Sequence, residues 1–296
     1  MKPLEGTFCV AVTPFKDNED LDIESFKANL EFYIKNGIHG IVVGGSTGEF
    51  AALSMEEHQR IIEVAVNQVD GRVPVIAGTG QCSTRQTLHL SKVAQAAGVN
   101  AVLVVPPFYS KPDEDEILDH FSRLASELDV PIMVYNNPFT SKVDIKPETV
   151  AELSKLRGVT YIKESSGDVA RIWKIRDKTG GKMTVFCGAD NLALESFAMG
   201  AKGWICVAAN ILPRQCANLY EMVARHRNLS GAVQLYEKIL PLANLLEDSG
   251  KFSALMKSGL DLIGQVGGRP RNPLSPPTND QLNTLKSILR SFELIN

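Results

Sequence analysis

No stretch of this 296-residue chain reaches the roughly 18 apolar residues that a membrane-spanning helix needs. The N-terminal "MKPLEGTFCVAVTPF" also lacks the layout of a signal peptide. Basic runs are equally absent. The chain carries 31 lysines and arginines against 34 aspartates and glutamates, a net charge of −3, so no basic stripe is offered to nucleic acid or to an anionic membrane. Cysteine is scarce: Cys9, Cys82, Cys187, Cys206 and Cys216 are scattered without a C-x-x-C pair. Cys9, Cys187 and Cys206 lie inside apolar runs, where buried reduced thiols are expected. There are five histidines, all in helical segments or ahead of the second strand, so a histidine-rich metal centre is not expected. No Pro/Gly/Ser-rich stretch or charge block divides the chain. Together these absences predict a cytoplasmic globular protein with no nucleic-acid or membrane partner.

What is present is a repeat of strand and helix. Short apolar, β-rich runs recur as "TFCVAVTPF" (7–15), "GIVVGG" (40–45), "PVIAGTG" (74–80), "AVLVVPP" (101–107), "PIMVYNNP" (131–138), "VTYIKESS" (159–166), "MTVFCGAD" (183–190) and "GWICVAAN" (203–210). Segments with helical apolar spacing separate them. One is "SMEEHQRIIEVAVNQV", in which Ser54 and Glu57 form a capping box. Eight strands alternating with helices predict a parallel sheet with right-handed crossovers, and eight strands close a (βα)8 TIM barrel. An open doubly wound sheet is the competing arrangement. Helical patterns near 230–247, 252–263 and 278–292 exceed what a barrel needs. The expected division is therefore a barrel over 1–228 and a C-terminal helical region over 229–296 packed on it.

In such barrels the chemistry sits at the carboxyl ends of the strands. There the sequence delivers "GGSTGE", "PPFYSKP", "YNNP", "KESSGD", "CGADN" and "VAAN". Tyr135 and Lys163 are one βα repeat apart, at matching points of successive strands, so a phenol and an amine can face one cavity. A lysine held away from water attacks carbonyls, and a phenol beside it can shuttle the protons. Alternatively, Lys163 is a solvated strand terminus and Tyr135 a core tyrosine. "GGSTGE" offers hydroxyls and free backbone N–H groups at a strand-to-helix turn, a carboxylate cradle or simply a tight turn. "GTGQCS" lacks the third glycine of a dinucleotide fingerprint. The acidic "KPDEDEILDHF" starts a helix, where negative charge suits the dipole.

"GGSTGE", "PPFYSKP", "YNNP" and "IKESSGD", in this order on an eight-fold βα pattern, resemble the dihydrodipicolinate synthase/N-acetylneuraminate lyase family from about residue 4 to 292. The resemblance implies a (βα)8 barrel with a C-terminal helical extension and a homotetramer built as a dimer of dimers. It also implies class I chemistry with no metal or organic cofactor. By the same resemblance Lys163 is the Schiff-base lysine and Tyr135 the proton-relaying tyrosine. Ser46 and Thr47 bind the carboxylate of the 2-oxo acid, Ser46 also joining the relay. Tyr109 is lent across the dimer interface to the neighbouring subunit's relay, and the backbone at Gly188 and Ile205 lines the pocket behind the lysine.

One departure bears on substrate. Lysine-pathway synthases of the family read Tyr-Asn-x-Pro-x-Arg-Thr, the arginine gripping the aldehyde substrate's carboxylate, whereas this chain has Thr140 at that point. A threonine offers no charged fork. The expectation is therefore a Schiff-base lyase acting on pyruvate or a longer 2-oxo acid, tilted toward a catabolic aldolase, dehydratase or deaminase. The dihydrodipicolinate synthase reaction is the alternative, and a non-catalytic barrel that binds a 2-oxo acid a remote one. Met55, Cys82 and Gln86 replace polar or acidic positions of the family's lysine-feedback pocket, so lysine inhibition is not expected.

Overall fold

Each of the eight apolar runs becomes a short strand, and every strand is followed by one or two helices. A computed structural model describes residues 3–296. Strands β1 (Gly6–Val10), β2 (Gly40–Val43), β3 (Val75–Gly78), β4 (Ala101–Val104), β5 (Ile132–Asn136), β6 (Val159–Glu164), β7 (Thr184–Cys187) and β8 (Gly203–Cys206) pair in sequence order. All the pairings are parallel, and β1 returns to β8 with Phe8 opposite Ile205, so the sheet closes into a barrel rather than lying open. Around it run α1 (Ile23–Lys35), α2 (Met55–Val69), α3 (Thr84–Ala97), α4 (Glu114–Glu127), α5 (Pro138–Ser141), α6 (Pro147–Leu153), α7 (Ala170–Lys178), α8 (Ala193–Ala198) and α9 (Pro213–Tyr220). Three further helices follow: α10 (Leu229–Ser249), α11 (Phe252–Leu262) and α12 (Asn279–Ser291).

Strands buried on both faces must be apolar on both faces. Phe8, Val10, Val42, Ile76, Leu103, Met133, Phe186 and Ile205 fill the barrel interior. The residues between them, such as Cys9, Ile41, Val43, Val102, Val134, Ile162 and Trp204, pack outward under the helices. β1 is shorter than its apolar run for a local reason. The Val12 N–H donates to the Asn210 side chain at 3.2 Å instead of to a strand, and Pro14 has no N–H to donate. Ser54 and Glu57 make both halves of the capping box on α2, and Asp113 with Glu116 does the same for the acidic start of α4. Past α9 the helical pattern continues as a single π turn, Glu221–Arg225.

Cys9, Cys187, Cys206 and Cys216 are buried free thiols and Cys82 is exposed. Burial pushes the Cys187 thiol up to about 12, which leaves it a packing group. No described helix is long and apolar enough to cross a membrane.

Candidate active site

The apolar run that ends in Lys163 contains an irregularity that decides where the lysine points. Ile132 pairs with Val159, but Met133 pairs with Tyr161, so β6 holds one extra residue, Thr160, against β5. Val159 packs outward with Ile132, whereas Tyr161 packs into the barrel with Met133. A one-residue bulge flips every side chain that follows it. Without it Lys163 would share the outward phase of Val159. With it Lys163 stands directly opposite Tyr135 on the inner face, its Nζ 4.1 Å from the centre of the tyrosine ring. Lys163 is 5% exposed and Tyr135 is buried.

Both side chains line a cavity of about 630 Å³ at the carboxyl ends of the strands, together with Ser46, Thr47, Thr140 and Gly188. Gly188 is a position of close approach: a Cβ there would lie 2.8 Å from Lys163 Cε, 2.9 Å from Lys163 Cγ and 1.9 Å from Ser165 Oγ. The Tyr135 hydroxyl accepts a hydrogen bond from Asn137 Nδ2 at 2.9 Å, and the same amide donates to Thr140 Oγ1 at 3.2 Å. Thr140 is thus turned back onto its own helix cap.

Behind the lysine, on the outer face of β6, Glu164 is buried and its carboxyl is pushed up by desolvation. It accepts from the Ser166 N–H at 2.7 Å and from Asn136 Nδ2 at 3.1 Å. Asn136 Nδ2 also reaches Asp144, which Arg171 grips through two 2.6 Å bonds. This network fixes the ends of β5 and β6 from outside, leaving their inner faces to the cavity.

Two expected residues lie elsewhere. Ile205 does not line the cavity. Its side chain is fully buried in the barrel interior with Phe8 and Phe186, and Val207, two residues on, reaches the wall instead. Tyr109 is 87% exposed and apart from its own chain's cavity.

Other wall residues carried no signal in the sequence. Leu246, Glu247 and Asp248 of α10, with Gly250 and Phe252 after it, close one side of the cavity, so the surplus helices help build the site. Glu247 Oε1 accepts the Asp190 N–H at 2.7 Å. Burial raises the Glu247 carboxyl, and the charge of Lys163 opposes that rise. Among the lining residues Lys163 is the one basic side chain. No group of three or more His, Cys, Asp or Glu among the described residues is placed to hold a metal ion. An amine and a phenol side by side in such a cavity suit attack on a ketone with proton transfer close at hand.

Comparison with known proteins identifies the family that this fold and sequence resemble. A family model described as the dihydrodipicolinate synthetase family matches residues 3–292. The 4-hydroxy-tetrahydrodipicolinate synthase of Syntrophobacter fumaroxidans is 37% identical over 293 residues, covering 98% of this chain and 99% of the relative. The crystal structure of a chloride-inhibited dihydrodipicolinate synthase from Acinetobacter baumannii complexed with pyruvate superposes with a TM-score of 0.94 at 32% identity, covering 99% of this chain and 100% of that one. A structure described as the first monomeric dihydrodipicolinate synthase variant matches equally well, with a TM-score of 0.94 at 31% identity over 99% of this chain and 98% of its own.

Proposed function

The chain belongs to the dihydrodipicolinate synthetase family, and from that premise we propose that it is a lyase whose Lys163 forms a Schiff base with pyruvate or a closely related 2-oxo acid. The observation that carries the proposal is the Lys163 Nζ, 4.1 Å from the centre of the Tyr135 ring inside the strand-end cavity. In this reading the Lys163 amine adds to C2 of the 2-oxo acid, and water leaves from the carbinolamine to give an iminium. The iminium accepts the electron pair released when a C3 proton departs, and C3 of the resulting enamine attacks the carbonyl carbon of a second substrate. The C=O π electrons of that substrate move to oxygen, which takes up a proton. Water then hydrolyses the regenerated iminium and frees Lys163; the reverse sequence breaks the C3–C4 bond. Tyr135 moves the protons, and Ser46 and Thr47 hold the carboxylate. Tyr109 completes the relay of an adjacent subunit in a homotetramer.

The reaction best supported is that of the named relatives, formation of 4-hydroxy-tetrahydrodipicolinate. This replaces the catabolic assignment that the missing arginine suggests, for which the relatives' names give no support. One observation keeps a catabolic aldolase, dehydratase or deaminase as the second reading: no guanidinium lines the cavity, and Thr140 is bonded back to Asn137.

The deciding experiment is intact-protein mass spectrometry after incubation with pyruvate and borohydride, followed by peptide mapping. A pyruvate-sized adduct on the Lys163 peptide, absent from a folded Lys163→Ala variant that has also lost turnover, is the expected result. An adduct elsewhere, or full activity in Lys163→Ala, would overturn the mechanism. Failure of the folded protein to form any adduct would favour a binding barrel. Release of 4-hydroxy-tetrahydrodipicolinate, set against turnover of hydroxylated 2-oxo acids and cyclic imines, separates the two readings.

A further inference from the structure

A carboxylate with no part in the proposed chemistry lies buried beside the turn that carries Ser46 and Thr47. Glu49 closes "GGSTGE" in the left-handed conformation, φ 58°, and its N–H donates to the Ser46 carbonyl at 3.0 Å. Its side chain runs into the protein instead of the cavity. There Glu49 Oε1 is 2.5 Å from Lys257 Nζ of α11, and Oε2 accepts the Arg271 N–H at 2.8 Å. Neither member of this ion pair shows more than 1% of its side chain to solvent.

The pair belongs to a larger clamp. Lys257 Nζ also donates to the Arg269 carbonyl at 3.0 Å and sits 4.2 Å from the centre of the Phe15 ring. The Arg271 guanidinium lies 4.1 Å from the same ring, holds Glu57 through bonds of 2.7 and 2.8 Å, and donates to the Ala52 carbonyl at 2.6 Å. From the same helix as Lys257, Ser253 Oγ reaches the Ser46 carbonyl at 3.4 Å. The clamp therefore joins α11 and the irregular 267–277 connection to both ends of the β2–α2 turn.

A buried ion pair is a poor way to gain stability, because desolvating both charges offsets most of their attraction and an apolar pair of similar volume does as well. What it supplies is one fixed geometry, since each charge must find its partner with few alternatives. The geometry fixed here is that of the turn proposed to receive the substrate carboxylate.

We propose that Glu49 and Lys257 are positioning residues: their ion pair holds the Ser46–Thr47 turn in the shape that binds the 2-oxo acid carboxylate, so the C-terminal helices set affinity for the first substrate. The inference rests on the reading of Ser46 and Thr47 given above.

The test titrates pyruvate in the borohydride trap on the full-length chain, with thermal unfolding recorded in parallel. The variants are Lys257→Met, which strands Glu49, and Glu49→Gln with Lys257→Met, which removes both charges and keeps the volume. Both are expected to raise half-saturating pyruvate about tenfold, which corresponds to about 1.4 kcal/mol. Adduct yield at saturation should stay near wild type, and the double variant should recover the unfolding temperature without recovering the affinity. Unchanged half-saturation in either folded variant, or affinity that returns together with stability in the double variant, would overturn the proposal and leave the Schiff-base assignment standing. No adduct in the wild-type chain would remove both.

Discussion

Thr160 and Gly188 set what Lys163 can reach, one from its own strand and one from the next. The extra residue in β6 rotates the lysine into the barrel, and the missing side chain at 188 leaves room for its methylene stem. Gly188→Ala should therefore act on the lysine before it acts on the fold. Ser165 Oγ can swing away from the new methyl, but Lys163 Cγ and Cε, 2.9 and 2.8 Å from it, must both move. Overpacking of this kind costs about 1–3 kcal/mol. A reacting atom displaced by about 1 Å costs on the order of 10²-fold in rate. Rapid-quench borohydride trapping should show adduct formation slowed on that scale in a protein that still melts cooperatively. An unchanged trapping rate would mean that the lysine works from a different rotamer.

At the scale of elements, the C-terminal helices are part of the active-site wall and are wired to it electrostatically. The Asp190 carboxylate, just after β7, accepts from Trp204 Nε1 at 2.9 Å and from the Val207 and Ala208 N–H groups at 3.1 and 2.7 Å. Glu247 of α10 takes the Asp190 N–H. Burial and then the nearby Glu247 charge push Asp190 up to about 7, while its three donors work the other way. The ordinary value is 3.8. Between those two values the folded chain holds a proton that the unfolded chain has lost, so this group's contribution to stability falls as pH rises through the window and levels off above it. Glu31 behaves oppositely: Arg72 holds it down to about 2, so its contribution is present above 4.5 and is lost as pH falls toward 2. Asp190→Asn should flatten the dependence of melting temperature on pH between about 4 and 7, at the cost of a lower melting temperature from one poorly matched donor. An unaltered slope would mean that the three donors keep Asp190 ionised throughout.

At the scale of the whole molecule, the proposed relay calls on a residue apart from its own chain's cavity. Tyr109 is fully displayed to solvent although the proposed relay requires it, and Phe139 at the cavity rim is 68% exposed. A tyrosine delivered from the neighbouring subunit would complete the site. Tyr109→Phe and Lys163→Ala, each nearly inactive alone, should then complement each other. In a random mixture of isologous dimers about a quarter of the sites hold an intact lysine facing an intact tyrosine. Activity well above the sum of the separate variants after subunit exchange is the expected outcome; strict additivity would place the relay within one chain. The missing arginine belongs to this scale too. Thr140 was a legible departure, but a cavity whose wall also draws on β7, β8 and α10 cannot have its second substrate read from one loop.

Local patterns set by residues a few positions apart carry this fold in the sequence. The alternation of β-rich runs with helical spacing, the Ser54–Glu57 capping box and the polar endings of the strands follow from periods of 2 and 3.6, which hold before any tertiary contact forms. They determine eight strands, a parallel sheet, and Lys163 and Tyr135 at neighbouring strand ends. Closure of the barrel decided the rest. The bulge at Thr160 exists only against β5. Ile205 falls inside and Val207 at the wall because of where β8 meets β1. The pairing of Glu49 with Lys257, and the wall formed by Leu246, Glu247 and Phe252, bring together segments far apart in the chain. No local periodicity encodes such meetings, because they depend on which buried charges and surfaces remain unsatisfied once the strands and helices have packed.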